Sequence, residues 1–100
     1  MKEVVISSVE NIIHINGILN ANTVEYALEQ TKPLISYDET ITLHLGNVTN
    51  CDSAGLTFLT AILREAKKKR TKLLFNNVPK QMLDLGRVSG LDGLLTIVKS

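Results

Sequence analysis

The strongest constraint on the fold is a switch of hydrophobic period midway along the chain. Ile41-Thr42-Leu43-His44-Leu45 alternates with a period of two. Leu56, Leu59, Ile62, Leu63 and Ala66 instead recur at helical spacing within residues 53–69, with Arg64, Glu65, Lys67 and Lys68 on the opposite side. Alternation places every second side chain on one sheet face, whereas a 3.6-residue period gathers an apolar stripe along one side of a helix. Lys72-Leu73-Leu74-Phe75 then reads as another strand. A strand, a long helix and a strand in succession imply parallel pairing through a right-handed crossover, and hence a sheet packed against helices.

The remaining segments extend this pattern. Val4-Val5-Ile6 and Ile12-Ile13-His14-Ile15 are β-branched runs separated by Glu10 and Asn11, which predicts a hairpin of residues 4–9 and 11–16, with Gly17 ending its second strand. Asn22 followed by Glu25 has capping-box spacing and opens a helix bearing Val24, Ala27, Leu28, Thr31 and Ile35. Pro33 either kinks that helix or ends it near Thr31, and of the two a kink is expected. Residues 46–53 read as a polar loop. Pro79 opens a third helix carrying Met82, Leu83, Leu85 and Val88, which Ser89-Gly90 stops, and residues 94–98 form a last strand. The order is β-β-α-β-α-β-α-β: an α/β chain with a four- to five-stranded mixed sheet and three helices. Partners of such sheets usually meet the carboxyl ends of the strands, where residues 46–53 fall.

Composition narrows the function. One hundred residues suffice for a single core. Eleven basic against ten acidic residues leave a formal charge of +1, too balanced to draw nucleic acid or an anionic membrane by charge alone. Tyr26, Tyr37, Phe58 and Phe75 are the only aromatic residues besides the histidines, so stacking platforms are scarce. A single cysteine, Cys51, permits no internal disulfide, and no apolar run reaches the length of a membrane span, so no direct membrane insertion is expected. The residues before Val4 are too few for a secretory leader, and the expected location is the cytoplasm.

The most informative segment is Asn50-Cys51-Asp52-Ser53-Ala54-Gly55-Leu56. It sets an acid and a hydroxyl at the mouth of the long helix, where unpaired N–H groups and the positive end of the dipole meet. A phosphate on Ser53 would be stabilised by those donors and repelled by Asp52. Spacing alone is equally that of an ordinary helix cap. Leu56 and Phe58 exceed what one buried stripe needs; they are either an exposed apolar patch for a partner or part of a helix sunk into a small core. Lys67-Lys68-Lys69-Arg70 reads as a solvated helix end facing the negative pole of the dipole. His14 and His44 have no third ligand at metal spacing, so neither metal nor cofactor is expected. Ser53 lacks a G-x-S-x-G elbow and no Gly-rich phosphate loop is present, so the chain reads as no enzyme.

Asp52-Ser53-Ala54-Gly55-Leu56 resembles the D-[ST]-[SA]-G-L signature of STAS domains, and Gly17-Ile18-Leu19-Asn20 resembles the G-x-L-D segment before their first helix. The run from Pro79 to Gly90-Leu91 is similar to their third helix and closing turn. The resemblance spans nearly the whole chain and implies a protein-interaction module whose partner surface comprises Asn20, Asn50, Asp52, Ser53, Ala54, Gly55, Leu56 and Phe58. Two branches fit. In the small STAS subunit of Mla-type phospholipid-transport ABC complexes, the residue matching Ser53 grips the ATPase subunit; the segment 78–91 and the short run after Leu95 favour this branch. In anti-sigma factor antagonists the matching serine is phosphorylated by a kinase that is also the anti-sigma factor. Asn20 stands where the family often carries Asp, removing a charge used toward a kinase or nucleotide.

Overall fold

The computed structural model describes residues 3–88 and 98–99. In chain order it contains β1 (Val4–Val9), β2 (Ile12–Leu19), α1 (Val24–Thr31), a 3-10 turn (Lys32–Leu34), β3 (Thr40–Cys51), α2 (Ser53–Lys68), β4 (Lys72–Asn76), α3 (Lys80–Val88) and β5 (Val98–Lys99). The expected stop at Ser89-Gly90, the closing-turn Leu91 and residues 94–97 of the expected last strand lie outside the described residues. The sheet runs β1-β2-β3-β4-β5, with β1 antiparallel to β2 and the later pairs parallel.

Parallel strands added one after another in the same direction, each through a right-handed crossover, put every connecting helix on one face. Burial agrees. Ile13, Ile15, Ile41, Leu43, Leu45, Leu73 and Phe75 share one buried cluster with Ala27, Phe58, Leu59, Ile62 and Met82 of the helices. The alternate residues Val5, Ser7, Val9 and Ile12 are exposed, and His14, Thr42, His44 and Leu74 are half-buried. No described element covers that second face.

Four local expectations change. Gly17 does not end a strand but lies inside β2 at φ 111°, where a Cβ would stand 2.2 Å from the Glu3 carbonyl oxygen. The first helix begins at Val24, and Thr23, not Asn22, is its cap residue. Pro33 does not kink that helix. The α-helix ends at Thr31, and the chain tightens into the 3-10 turn, because a proline cannot supply the next N–H. Residues 46–51 are not a loop; they are the second half of β3.

That last difference has a clear cause. His14 pairs with His44 and Leu19 with Cys51, so seven steps along β3 oppose five along β2. The surplus is taken up at two irregularities, between His14 and Asn16 and between Gly17 and Ile18. Each extra residue moves the next inward side chain one place on, and the buried positions become Leu45, Val48 and Cys51. Alternation stops at Leu45 while the ladder continues.

The basic run at the end of α2 is only half solvated. Lys67 and Lys68 are exposed, but Lys69 Nζ donates to the carbonyl oxygens of Lys32 (3.1 Å) and Ile35 (2.9 Å), pairs with Glu65 at 3.2 Å and lies over the Tyr37 ring. Arg70 holds Asp38 through two hydrogen bonds of 2.8 and 3.1 Å, and Thr71 Oγ1 donates to the Ser36 carbonyl. These side chains tie the connection before β3 to the C-terminal end of α2.

Candidate functional site

The paired last residues of β2 and β3, Leu19 and Cys51, carry the site at the carboxyl rim of the sheet. The Asp52 N–H donates to the Leu19 carbonyl at 3.1 Å, fixing the chain as it leaves the strand. Asp52 is extended (φ −120°, ψ −164°) and caps α2, its carboxylate accepting the Ala54 N–H at 2.8 Å while its carbonyl accepts the Gly55 N–H at 2.9 Å. One of the two roles read for this acid is therefore realised: it satisfies first-turn donors. Ser53 is the first helical residue and is exposed, as is Asp52; Ala54 is half-buried.

The positions that follow turn inward. Gly55 is buried, and a Cβ there would meet Met82 Cε at 3.2 Å and Cys51 Cβ at 3.3 Å, so the glycine lets α2 settle against α3 and the end of β3. Leu56 is 5% exposed and Phe58 0%. Of the two readings open for these residues, the exposed patch is excluded and the helix sunk into a small core is what the structure shows. The inner side of α2 is wider than a single stripe, because α2 packs on the sheet and on both α1 and α3, and both side chains are spent on the core.

Asn20 and Asn50 reach the same rim. Asn50 is exposed and pairs with Ile18 near the end of the β2–β3 ladder. Asn20 is half-buried; its Oδ1 accepts the Asn22 N–H at 2.9 Å. Its own N–H donates at 3.0 Å to Thr23 Oγ1, which donates in turn to the Ile18 carbonyl at 2.7 Å. Thr23, buried at this turn, takes the cap position of α1, and the Asn-x-x-Thr spacing that makes the turn is visible in the sequence. Asn47 gives its amide to Asn16 Oδ1 at 2.8 Å.

The remaining candidates gather no chemistry. His14 and His44 are cross-strand neighbours with ring centroids 5.1 Å apart, on the open face and away from Ser53's helix. Among the described residues no group of three or more His, Cys, Asp or Glu side chains comes together. Cys51 is buried; desolvation, and then the charge of Asp52, push its thiol pKa up. Two surface hollows, one along Lys80, Gln81, Asp84 and Leu85 and one among Lys32, Ala61, Arg64, Glu65 and Lys68, involve neither Asp52 nor Ser53. Among the described residues no helix is long and apolar enough to cross a membrane. What the rim presents is a polar surface of small exposed side chains, held by the cap at Asp52.

Three comparisons bear on this arrangement. The family model described as Mlab, STAS domain matches residues 3–98. Among solved structures, the anti-sigma factor antagonist SpoIIAA in its unphosphorylated form superposes with a TM-score of 0.70 at 17% identity, covering 96% of this chain and 85% of that one. SLC26A9 superposes with a TM-score of 0.67 at 18% identity over 91% of this chain, which spans only 18% of that protein. No curated protein sequence gives a significant match. At these identities the two structures show a shared fold, and the family model carries the assignment. With its sheet order, its cap at Asp52 and its buried Gly55 in place, the chain belongs to the STAS domain family.

Proposed function

We propose that this STAS domain is a non-enzymatic interaction module that binds the ATPase subunit of a Mla-type phospholipid-transport ABC complex through the exposed start of α2. One observation carries the reading. Asp52 and Ser53 face solvent on a helix whose next bulky residues, Leu56 and Phe58, are locked into the core. A surface of small polar groups on a fixed backbone suits a protein partner, because docking costs little side-chain ordering. The matching family description, Mlab, supports the choice of partner class. Asn20, Asn50 and Ala54 complete the rim, whereas Gly55, Leu56 and Phe58 act from beneath by holding it. Coupling to the ATPase cycle requires that affinity differ between its states. Ser53→Arg is expected to abolish co-purification with the ATPase while the circular dichroism spectrum stays that of the folded chain. A complex that survives this substitution would count heavily against the reading.

A second reading has its own support. The SpoIIAA structure is an anti-sigma factor antagonist described in an unphosphorylated form, and Ser53 here is an exposed hydroxyl at a helix start. A phosphate there would gain from the helix dipole and compete with the Asp52 carboxylate for the first-turn donors. Incubation with candidate serine kinases and ATP, followed by intact-mass measurement, separates the two. A single phosphate on Ser53 favours partner switching; its absence together with tight ATPase binding favours transport.

A further inference from the structure

β1 lies at the end of the sheet order and pairs only with β2 among the described residues. Its free edge lacks the devices that keep edge strands single. Val4-Val5-Ile6-Ser7-Ser8-Val9 contains no charge, proline or glycine, and four of its six residues are β-branched valine or isoleucine. The exposed large apolar side chains of the described residues are also concentrated here. Val5 (53%), Val9 (62%) and the neighbouring Ile12 (42%) share the open face, and only Tyr37 lies elsewhere.

Which backbone groups are free follows from the bonds already made. The Glu3 carbonyl accepts the Ile18 N–H, and the Val5 carbonyl accepts Asn16 Nδ2, both from β2. Backbone groups alternate in direction along a strand, so Glu3, Val5, Ser7 and Val9 aim theirs at β2, while Val4, Ile6 and Ser8 aim theirs outward. Edge groups so arranged pair best with a strand of matching, uncharged alternation.

We infer that β1 pairs antiparallel with β1 of a second copy of this chain, about a two-fold axis through Ser7. In this register Ile6 and Ser8 of each copy exchange backbone hydrogen bonds with Ser8 and Ile6 of the other. Ser7 meets Ser7, and Val5 meets Val9 twice, in the non-hydrogen-bonded pairs where side chains stand closest. Glu3 falls opposite Asn11 and Glu10 opposite Val4, so no like charges face each other. Centring on Ile6 instead opposes Glu3 to Val9, and centring on Ser8 opposes Val5 to Asn11; each leaves an exposed valine without its apolar partner. The contact is isologous and closes on itself as a dimer.

The inference is independent of the Ser53 reading, and its test leaves α2 untouched. Light scattering on a concentration series of the purified chain should show the mass rising from 11.0 kDa toward twice that value. Ser7→Lys places two like charges on the axis and should hold the mass at the monomer value, with a melting curve that matches the wild type at concentrations low enough for both to be monomeric. Ser7→Cys, mildly oxidised, should give a disulfide between the two introduced thiols, because non-hydrogen-bonded partners have Cα atoms about 4.5 Å apart. Ser8→Cys should not, since each Ser8 faces Ile6. A wild-type chain that stays monomeric at every concentration overturns the inference. So does a dimer that survives Ser7→Lys, or cross-linking at position 8 in preference to 7.

Discussion

Gly17 holds a backbone conformation that few other residues tolerate, and it does so in the middle of a strand. Its φ of 111° lets the Ile18 N–H reach the Glu3 carbonyl at 2.9 Å, and any Cβ would collide with that same oxygen. Gly17→Ala is therefore expected to destabilise the fold by about 2–3 kcal/mol, the upper range for backbone strain, as a lower urea midpoint. Thr31 presents the opposite case. It is wholly buried, and its hydroxyl has no hydrogen-bond partner among the described residues. Thr31→Val removes an unsatisfied polar atom at nearly constant shape, so stability should rise by about 1 kcal/mol. A value below wild type would mean that the hydroxyl finds a partner. Cys51 is held as an inert thiol by burial and by the nearby Asp52 charge. Iodoacetamide at mildly alkaline pH should label it only once denaturant opens the core; rapid labelling of the native chain would show the rim to be loose.

At the scale of elements, the long helix and the regular strands were legible because each buries one face in a constant period. α2 spans Ser53–Lys68 against an expected 53–69, and β4 extends its expected range by one residue, to Asn76. The second half of β3 was not legible. Its inward residues Leu45, Val48 and Cys51 are three apart, a spacing produced by register irregularities that no local signal announces. The end of α1 is ambiguous in sequence because Pro33 can kink or terminate a helix, and the 3-10 turn after Thr31 decides for termination over the expected kink. The site shows the same division. The place of Asp52 and Ser53 at the mouth of α2 is legible from capping chemistry, whereas the inward turn of Leu56 and Phe58 depends on how many surfaces α2 meets. The cap itself can be tested. Asp52→Ala removes the acceptor at 2.8 Å from the Ala54 N–H and should cost about 1 kcal/mol in urea unfolding, with Asp52→Asn restoring most of it. Equal losses for both variants would place the contribution of Asp52 in its charge and not in the cap.

In the whole molecule, the proposed function gives one helix two duties along its length, core support and partner capture, and the division between them can be measured. Phe58 is 0% exposed within the core cluster of the described residues, so Phe58→Ala should cost about 3–5 kcal/mol, a large share of the roughly 5–15 kcal/mol that holds a domain of this size together. Ser53, five residues earlier, is exposed; Ser53→Arg should change stability by no more than about 1 kcal/mol, mostly through its unfavourable charge at the helix start. Partner capture should respond in the reverse sense. Phe58→Ala lowers it only in proportion to the unfolded fraction, so cooling or excess protein restores binding. Ser53→Arg removes capture at every temperature, including those well below a melting midpoint that moves by no more than about 4–8 °C. If the two variants lose binding in step with their loss of stability, the start of α2 is simply part of the core's support, and recognition lies on another face of the sheet.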